Sequence, residues 1–518
     1  MKATTIGALG VMVLGSAGVV AWKFVAPILE KRAQMETSDA GKSKATISIG
    51  VDNFLGYYVL CSPYQRAQMR NAGYEPRCVD DDADYVKRME RLRKGEIQLA
   101  VATIDSYELN AVESKYPGLI IAVIDRSNGA DAIVARSGKV KNIDDLKRGG
   151  LKVAFAPGSP SEHLLKVIAT DFDIAQWRGA DKSWRVEVKS SQEAAKRFAA
   201  GEVDVAVLWE PDVTKTLRGN QDAIKVIGTE VAPRAIVDVL VARREFVRDN
   251  REAVKQLLTS YFKSAYYYRT NPDAAAGDAA DYAKIDRKYI GDALKGVAWA
   301  NLVENATVWF GVADSGQQPQ FGLIEAIEST TRILIEHGDF KASPLPGDNP
   351  RSIIWSDLIE ELYRSGLASG EKVDPKSADS LSREFSELTD AQWQALREIG
   401  TLRVRPIAFQ SGTDALSADA KENIDRIAET IKNYPDFRIV VEGHTSTRGD
   451  PAVNQELSQD RAEAVARYLM VTYGVKQNRM RAVGYGGTKP LPRQVDETDR
   501  DYMTRLSRVV VKMVAEAY

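Results

Sequence analysis

Residues 151–162 read Leu-Lys-Val-Ala-Phe-Ala-Pro-Gly-Ser-Pro-Ser-Glu and contain an apolar run, a turn and a helix start. The run Leu151–Phe155 has the length and composition of a buried strand. Ser159 and Glu162 have the spacing of a helix capping box, and Pro160 takes the first helical position. The segment therefore predicts a strand that leads directly into a helix.

The same alternation continues on both sides of this segment. Further strands are predicted at Ile47–Val51, Ile97–Ala102, Gly118–Ile124 and Val203–Leu208. Helices are predicted at Tyr57–Asn71, Arg251–Arg269 and Gly322–His337. Strands that alternate with helices are typical of a mainly parallel α/β sheet, and ligands of such sheets bind beyond the carboxyl ends of the strands.

Length and composition limit the classes of function. A chain of 518 residues is too long for one hydrophobic core and predicts two or three domains. The formal net charge of −2 argues against a nucleic-acid partner. The histidines His163, His337 and His444 are far apart, and no spacing resembles a metal site. Because Walker loops, nucleophile elbows and H-E-x-x-H motifs are also missing from the sequence, we predict a binding protein without cofactor or metal, not an enzyme.

The N-terminal segment is apolar. Ala3–Trp22 contains about 20 residues without a charge, and a helix of that length spans about 30 Å of bilayer. A cleaved signal peptide is the alternative, although no small-x-small site follows the apolar run. We predict an uncleaved inner-membrane anchor over residues 1–25 and a polar tether over residues 26–45.

The two cysteines, Cys61 and Cys78, are 17 positions apart. In an oxidising compartment a disulfide between them would stabilise the fold by roughly 3 kcal/mol in the chain-entropy model. Two separate buried thiols are the alternative, because sequence does not place their Cβ atoms.

Five ordered segments resemble the substrate-binding proteins of the nitrate, sulfonate and taurine import family. They are Gly95–Ala102, Asp125–Ala135, Ile143–Lys147, Leu151–Ser159 and Gly201–Pro211. The resemblance covers residues 46–366 and implies a two-lobed periplasmic-binding-protein clamshell that closes on a small-molecule ligand. In this family two helix starts hold an anionic group, in agreement with anion binding at helix N-termini. The corresponding segments here are Asn53–Tyr57 and Pro157–Glu162.

We expect ligand contacts from these helix starts, from strand ends and from the segment that returns between the lobes. The candidate ligand-binding residues are Asn53, Gly56, Tyr57, Thr103, Asp125, Ser127, Asp131, Ser159, Ser161, Trp209, Glu210 and Arg234. If the nearby carboxylates face the cleft, among them Asp52, the run Asp80–Asp82 and Glu162, they disfavour a simple anion and favour a zwitterion or an amine. Tyrosine and tryptophan rings at these positions either face a cation or only fill space. The alternative for Ser159–Glu162 is helix capping alone, and the alternative for the acidic run is solvated surface.

Residues 401–518 resemble the OmpA-like peptidoglycan-binding family. The signature consists of Gly443–Thr445 followed by Asn454–Ala462. The resemblance implies that an Asp directly after G-H-T and the Arg of R-A hold the amine and the carboxylate of the diaminopimelate stem residue. Arg461 is retained, but Ser446 replaces the Asp, so we expect weak peptidoglycan binding unless Asp450 or Glu442 substitutes. The candidate wall-binding residues are Thr445, Ser446, Asn454, Arg461 and Arg508.

The sequence thus predicts an α/β protein with an N-terminal transmembrane helix, a clamshell over residues 46–366, a linker over residues 367–400 and a smaller OmpA-like domain. We interpret it as an envelope protein that captures a small organic solute or anion for transport or signalling. Its partners would be peptidoglycan, the inner membrane and an ABC permease or envelope complex. The alternative is a membrane-to-peptidoglycan scaffold whose clamshell no longer binds ligand. An open, polar cleft would favour capture, whereas a collapsed or apolar cleft would favour the scaffold.

Overall fold

The computed structural model describes residues 45–232, 234–313, 319–368, 371–373, 385–410 and 412–515. Three sheets with six, five and four strands organise these residues. The predicted anchor and most of the predicted tether lie outside the described residues. Within the described ranges, no helix combines the length and the apolar character that a bilayer crossing needs.

The first lobe is built on the six-stranded sheet, in the order β11-β4-β10-β3-β1-β2. Its strands are β1 (Ala45–Val51), β2 (Tyr74–Asp80), β3 (Leu99–Thr103), β4 (Gly118–Ser127), β10 (Val237–Arg243) and β11 (Val297–Trp299). Its helices are α1 (Tyr58–Cys61), α2 (Pro63–Asn71), α3 (Tyr85–Lys94), α4 (Ile104–Ala111), α9 (Arg244–Asp249), α10 (Arg251–Thr270), α11 (Pro272–Ala283), α12 (Arg287–Lys295), α13 (Leu302–Glu304), α14 (Gly322–Glu336) and α15 (Asp357–Arg364). The single helix predicted over Tyr57–Asn71 is divided at Ser62, because Ser62 is extended and caps α2 while Pro63 starts it.

The second lobe is built on the five-stranded sheet, in the order β7-β6-β8-β5-β9. Its strands are β5 (Asp131–Arg136), β6 (Val153–Phe155), β7 (Arg185–Glu187), β8 (Val205–Trp209) and β9 (Ala223–Gly228). Its helices are α5 (Pro160–Asp171), α6 (Ala175–Arg178), α7 (Ser191–Ala199) and α8 (Asp212–Gly219). Both sheets are mixed and not mainly parallel, because β5 and β10 enter from the opposite lobe and run antiparallel to their neighbours. The chain crosses between the lobes directly after β4 and again between β9 and β10.

A disulfide joins Cys61 at the end of α1 to Cys78 in β2, with the Cα atoms 5.9 Å apart. The two cysteines therefore form a disulfide and are not the separate buried thiols that the spacing also allowed. A structural disulfide fits an oxidising compartment such as the periplasm.

Loss of this disulfide is expected to lower the free energy of unfolding by roughly 3 kcal/mol, because a closed loop restricts the unfolded chain. Urea unfolding of the Cys61→Ser/Cys78→Ser variant, followed by tryptophan fluorescence, measures this difference. Dithiothreitol should destabilise the wild-type protein and leave the double variant unchanged. Equal stability of the two proteins under oxidising conditions would contradict the prediction.

The C-terminal domain is built on the four-stranded sheet, in the order β12-β15-β13-β14. Its strands are β12 (Arg397–Thr401), β13 (Arg438–His444), β14 (Met480–Gly484) and β15 (Arg508–Ala515). Its helices are α16 (Asp390–Ala395), α17 (Ala418–Lys432), α18 (Pro451–Tyr473) and α19 (Asp499–Leu506). Strand β12 begins inside the predicted linker of residues 367–400 and pairs antiparallel with β15, so this sheet begins before residue 401.

Glycine in the G-H-T signature permits a close approach between helix and sheet. A Cβ atom on Gly443 of β13 would lie 2.0 Å from the backbone oxygen of Ser458 in α18. A Cβ atom on Gly484 of β14 would lie 2.4 Å from the backbone nitrogen of Gln459. Helix α18 therefore rests directly on the backbone of both strands, and this contact positions the residues that follow β13.

The second lobe and the C-terminal domain share an apolar contact. Phe172, which follows α5, meets the ring of Tyr434 edge-on at 5.4 Å and lies against Gly400 of β12. The Tyr434 hydroxyl donates a hydrogen bond to the buried carboxylate of Asp171 at 2.8 Å. The backbone N–H of Arg403 also donates to the carbonyl of Asp171, at 2.7 Å. One lobe of the clamshell is thus held directly against the C-terminal domain.

Candidate functional site

Side chains from both lobes surround a small cavity beside the crossing segments. It is lined by Phe54, Tyr57, Tyr85, Thr103, Asp131, Pro160, Trp209, Ile236 and Asp238. Its volume is about 10 Å³, which is about the space that one water molecule needs. The space between the lobes is therefore too small for a larger molecule, which would bind there only if the lobes separate.

Four of the predicted ligand-binding residues line this cavity. Tyr57 and Thr103 belong to the first lobe, and Asp131 and Trp209 belong to the second. Sequence reasoning did not select Phe54, Tyr85, Pro160 or Ile236. Tyr85 could have been selected from the sequence, because it opens a helix shortly after the acidic run Asp80–Asp82.

Two of the predicted residues, Asp125 and Gly56, lie directly behind the cavity. Asp125 in β4 pairs in register with Asp238 in β10. Its Oδ2 atom lies so close to Gly56 that a Cβ atom there would be 2.3 Å away. A side chain larger than that of glycine at residue 56 would therefore displace this carboxylate.

Ser127 holds the crossing segments together. Its Oγ lies 2.5 Å from the Oγ1 of Thr229, and it accepts a hydrogen bond from the N–H of Asp131 at 3.0 Å. The Thr229 hydroxyl in turn accepts from the N–H of Gly129 at 2.9 Å. Ser127 thus joins the two segments about which the lobes would move.

Four other predicted residues point their polar groups elsewhere. Ser159 and Ser161 donate to the carbonyls of Ala156 and Val207, at 2.7 Å and 3.2 Å. Glu210 is buried and accepts from the hydroxyl of Thr214 at 2.7 Å. Asn53 is exposed, and its neighbour Phe54 lines the cavity instead.

Arg234 lies away from the cavity, contrary to the sequence-based expectation. Its Nη1 pairs with Glu325 of α14 at 2.9 Å. The position follows from the turn that ends the second crossing segment, which directs Ile236 and Asp238 toward the cavity instead. Sequence alone does not show which residues of such a turn face inward.

The cavity is strongly acidic. The hydroxyl of Tyr57 donates to Oδ1 of Asp238 at 2.5 Å. In the described part of the chain, Oδ2 of Asp238 and both carboxylate oxygens of Asp125 have no hydrogen-bond partner. Burial raises the pKa of each of these two carboxyl groups well above its ordinary value. Burial, assisted by neighbouring carboxylates, raises the pKa of Asp131 to about 7.

One buried arginine lies beside this acidic group. Arg88 of α3 is fully buried, and its Nη2 lies 3.0 Å from Asp52 and 2.5 Å from Asp81. Its Nη1 donates to the carbonyl of Val101 at 2.9 Å. Asp81 is therefore an internal ion-pair partner, whereas the acidic run was also consistent with solvated surface.

Both helix starts bind carboxylates of the chain itself. Oδ1 of Asp52 accepts from the N–H of Phe54 at 2.9 Å. Oε2 of Glu162 accepts from the N–H of Gly158 at 2.8 Å, while its Oε1 binds Arg185 at 2.8 Å. Ser159 caps α5 by accepting from the N–H of Ser161, whereas Glu162 binds the turn before the helix and Arg185. Across the described ranges, no group of three or more His, Cys, Asp or Glu side chains is arranged to hold a metal ion.

The predicted wall-binding residues lie at one end of the C-terminal sheet. Thr445 and Ser446 directly follow β13, and Asn454 of α18 reaches the carbonyl of Ser446 at 3.5 Å. Arg508 opens β15 and pairs in register with His444. Arg461 lies two helical turns after Asn454 on α18, and therefore on the same helix face.

The two arginines of this end are held by backbone oxygens. Nε of Arg461 donates to the carbonyl of Thr413 at 3.1 Å, and Arg508 donates to the carbonyl of Lys489 at 3.1 Å. Neither guanidinium is paired with a carboxylate from the described residues. Partial burial lowers the pKa of both side chains. Two cations without counter-charge are suited to bind a carboxylate.

The acidic residues near Ser446 have other partners. Asp450 caps α18 by accepting from the N–H groups of Ala452 and Val453, at 2.8 Å and 3.1 Å. Glu442 lies 3.5 Å from Lys512 and 3.7 Å from the ring of His444. Neither Asp450 nor Glu442 is therefore free to take the role of the Asp that the family has at the position of Ser446.

Two family models match the chain. Residues 82–283 match the family described as the periplasmic substrate-binding protein of phosphonate ABC transporters. Residues 408–503 match the OmpA family.

Individual proteins resemble one domain or the other. A peptidoglycan-associated lipoprotein of Rhizobium meliloti (strain 1021) is 40% identical over 142 residues, which cover 27% of this chain and 77% of that protein. Outer membrane porin F of Pseudomonas aeruginosa is 34% identical over 111 residues, which cover 21% of this chain and 31% of that protein. The structure of the alkanesulfonate-binding protein of Xanthomonas axonopodis pv. citri, 18% identical, superposes with a TM-score of 0.47 over 61% of this chain and 99% of its own.

Proposed function

We propose that this chain, which belongs to the OmpA family through its C-terminal domain and carries a periplasmic substrate-binding domain before it, captures a small solute beside the cell wall. The observation that carries this proposal is the convergence of polar side chains from both lobes on one cavity. Thr103 and Asp238 come from the first lobe, and Asp131 and Trp209 come from the second. Movement of the lobes would open and close this set of contacts around a ligand.

The acidic cavity favours capture over the scaffold alternative. The scaffold alternative predicts a collapsed cavity, and the cavity is indeed small. Solute capture predicts a polar cavity, and the cavity is lined by polar side chains. Burial of carboxylates without hydrogen-bond partners costs free energy. A clamshell that only served as a spacer would be more stable with apolar side chains at Asp125 and Asp238, so their burial supports a binding role.

The two domain types and the disulfide support a periplasmic position. We propose that residues 1–25 anchor the chain in the inner membrane and that the predicted limits of the clamshell, residues 46–366, describe its functional unit. The solute would then pass to an ABC permease, or its binding would be signalled to an envelope complex. The contact between Phe172 and Tyr434 would transmit a movement of the second lobe to the C-terminal domain.

A thermal-shift screen of the full-length chain in detergent tests capture. Amino acids, sulfonates, amines and inorganic anions are each added at millimolar concentration, and a solute that binds only the folded state raises the melting temperature. The shift should disappear in Asp131→Asn and persist in Asp348→Asn, an exposed control of the same chemistry. Absence of a shift with every class would contradict capture and favour the scaffold.

We also propose that the C-terminal domain associates weakly with peptidoglycan through Arg461 and Arg508. Ser446→Asp should raise retention on purified sacculi by about tenfold, because a charged partner contributes roughly 1.5–3 kcal/mol to a hydrogen bond with an ammonium group. Ser446→Ala is the matched control and should give no gain. Strong retention that survives Arg461→Ala would contradict this arrangement.

A further inference from the structure

We infer that the ligand of the clamshell is a small organic ammonium ion, held by the carboxylates of Asp131 and Asp238 and enclosed by aromatic rings. This inference rests on the proposed capture of a solute between the lobes and specifies its chemical class. It differs from the anions that the sequence resemblance implies.

The first observation is that each position suited to an anion already has a carboxylate of the chain beside it. A helix start attracts anions because its backbone N–H groups lack partners. Here the N–H of Phe54 binds Asp52, and the N–H of Gly158 binds Glu162. An anionic ligand at either position would be repelled by the neighbouring carboxylate.

The second observation concerns the charge of the cavity. Asp131 and Asp238 line it, and Asp125 lies directly behind it. No lysine, arginine or histidine of the described chain is among the lining residues. The neighbouring guanidinium of Arg88 is already bound by Asp52, Asp81 and a backbone carbonyl. The carboxyl groups between the lobes therefore have no free cation of the described chain beside them, and a cationic ligand would stabilise their ionised form.

The third observation is that buried polar atoms lack hydrogen-bond partners. Oδ2 of Asp238 is buried, with the residue only 1% exposed, and no N–H or hydroxyl group of the described residues donates to it; the neighbouring carboxyl group of Asp125 can donate only when it is protonated. Buried acceptors of this kind are normally satisfied. An ammonium group with N–H donors would satisfy this oxygen, whereas a quaternary ammonium group would not.

The indole of Trp209 adds a preference for a second polar group on the ligand. Its side chain is 3% exposed, and its Nε1–H has no acceptor within the described ranges. A neutral acceptor such as a hydroxyl would satisfy this donor. The geometry therefore suits an amino alcohol better than a simple alkylamine.

Aromatic rings and cavity size complete the argument. Phe54, Tyr57, Tyr85 and Trp209 line the cavity, and aromatic faces attract cations within about 6 Å of the ring centre. The closed cavity holds about 10 Å³, so a ligand with few heavy atoms requires the least separation of the lobes. Both features favour a compact cation.

Isothermal titration of the full-length chain in detergent with four small probes of different charge tests the inference. The probes are ethanolamine as a cation, taurine as a zwitterion, methanesulfonate as an anion and ethylene glycol as a neutral molecule. We expect binding of ethanolamine at millimolar concentration or below, and at least about tenfold weaker binding of the others. Asp131→Asn and Asp238→Asn should each weaken ethanolamine binding by about tenfold or more, and Asp348→Asn should not.

The outcomes separate the inference from the proposed function. Tighter binding of taurine or methanesulfonate than of ethanolamine would overturn the inference of a cationic ligand and leave the proposed solute capture intact. Equal binding of ethylene glycol would show that charge is not recognised and would also overturn it. If no probe binds, capture itself is contradicted and the inference falls with it. Circular dichroism of the Asp131→Asn and Asp238→Asn variants shows that a loss of binding is not a loss of fold.

Discussion

Replacement of Arg88 by methionine is expected to lower the free energy of unfolding by about 3–5 kcal/mol. The guanidinium is fully buried between Asp52 and Asp81, at 3.0 Å and 2.5 Å. Methionine fills a similar volume but leaves two buried carboxylates without a cation, and such charges are costly in a low dielectric. Asp52 also accepts from the N–H of Phe54, which lines the cavity, so the loss would reach the cavity directly.

Urea unfolding followed by tryptophan fluorescence measures this effect, since six of the eight tryptophans lie between residues 177 and 355. Arg93→Met on the same helix is the matched control. Arg93 is 53% exposed and 4.0 Å from Glu90, so its replacement should change stability by less than about 0.5 kcal/mol. Adding Asp81→Asn to Arg88→Met should restore part of the loss. Similar effects of the two single variants would show that Arg88 is not a buried ion-pair partner.

The unliganded clamshell is expected to become less stable as the pH rises from about 5 to 8. Burial raises the pKa of Asp105, Asp131 and Glu210 to about 7, from ordinary values of 3.8 for aspartate and 4.5 for glutamate. At pH values between the ordinary and the raised pKa values, the folded state binds more protons than the unfolded state. The free energy of unfolding therefore falls as the pH rises and these protons are removed. Each unit of pKa shift corresponds to about 1.4 kcal/mol for a single group.

Two histidines act in the opposite direction. Burial lowers the pKa of His163 to about 3 and that of His337 to about 4. Their contribution is present above the ordinary value of 6.5 and is lost as the pH falls through the lowered values. The carboxylates are more numerous, because Asp125 and Asp238 also have raised pKa values. The free energy of unfolding should therefore fall as the pH rises, as the carboxyl groups alone would predict.

Urea midpoints at several pH values between 5 and 8 test this slope. Asp131→Asn resembles the protonated carboxyl group and should flatten the dependence, whereas the exposed Asp348→Asn should leave it unchanged. A midpoint that rises steadily across this range would contradict the prediction. Saturating ethanolamine should reduce the loss at high pH, because a bound cation stabilises the ionised carboxylates.

Sequence determined the chain's division into a clamshell and an OmpA-like domain. Its signals are local: the apolar run Leu151–Phe155, the turn before Ser159, and the ordered signature from Gly443 to Ala462. Such features depend on neighbours within a few residues or on a fixed spacing, so they are readable without coordinates. The spacing of Cys61 and Cys78 allowed a disulfide but did not require one.

Only the tertiary structure decided how the charged side chains are used. It bound Glu162 to Arg185 and to the turn before α5, buried Arg88 between Asp52 and Asp81, and placed Arg234 outside the cavity. The partners in these contacts come from other strands and helices, and the direction of a side chain depends on how those elements assemble. Burial, which raises the pKa of the cavity carboxylates, exists only after both lobes have met. For this reason sequence could suggest that an amine was favoured, and the folded lobes provided the physical argument for a cation.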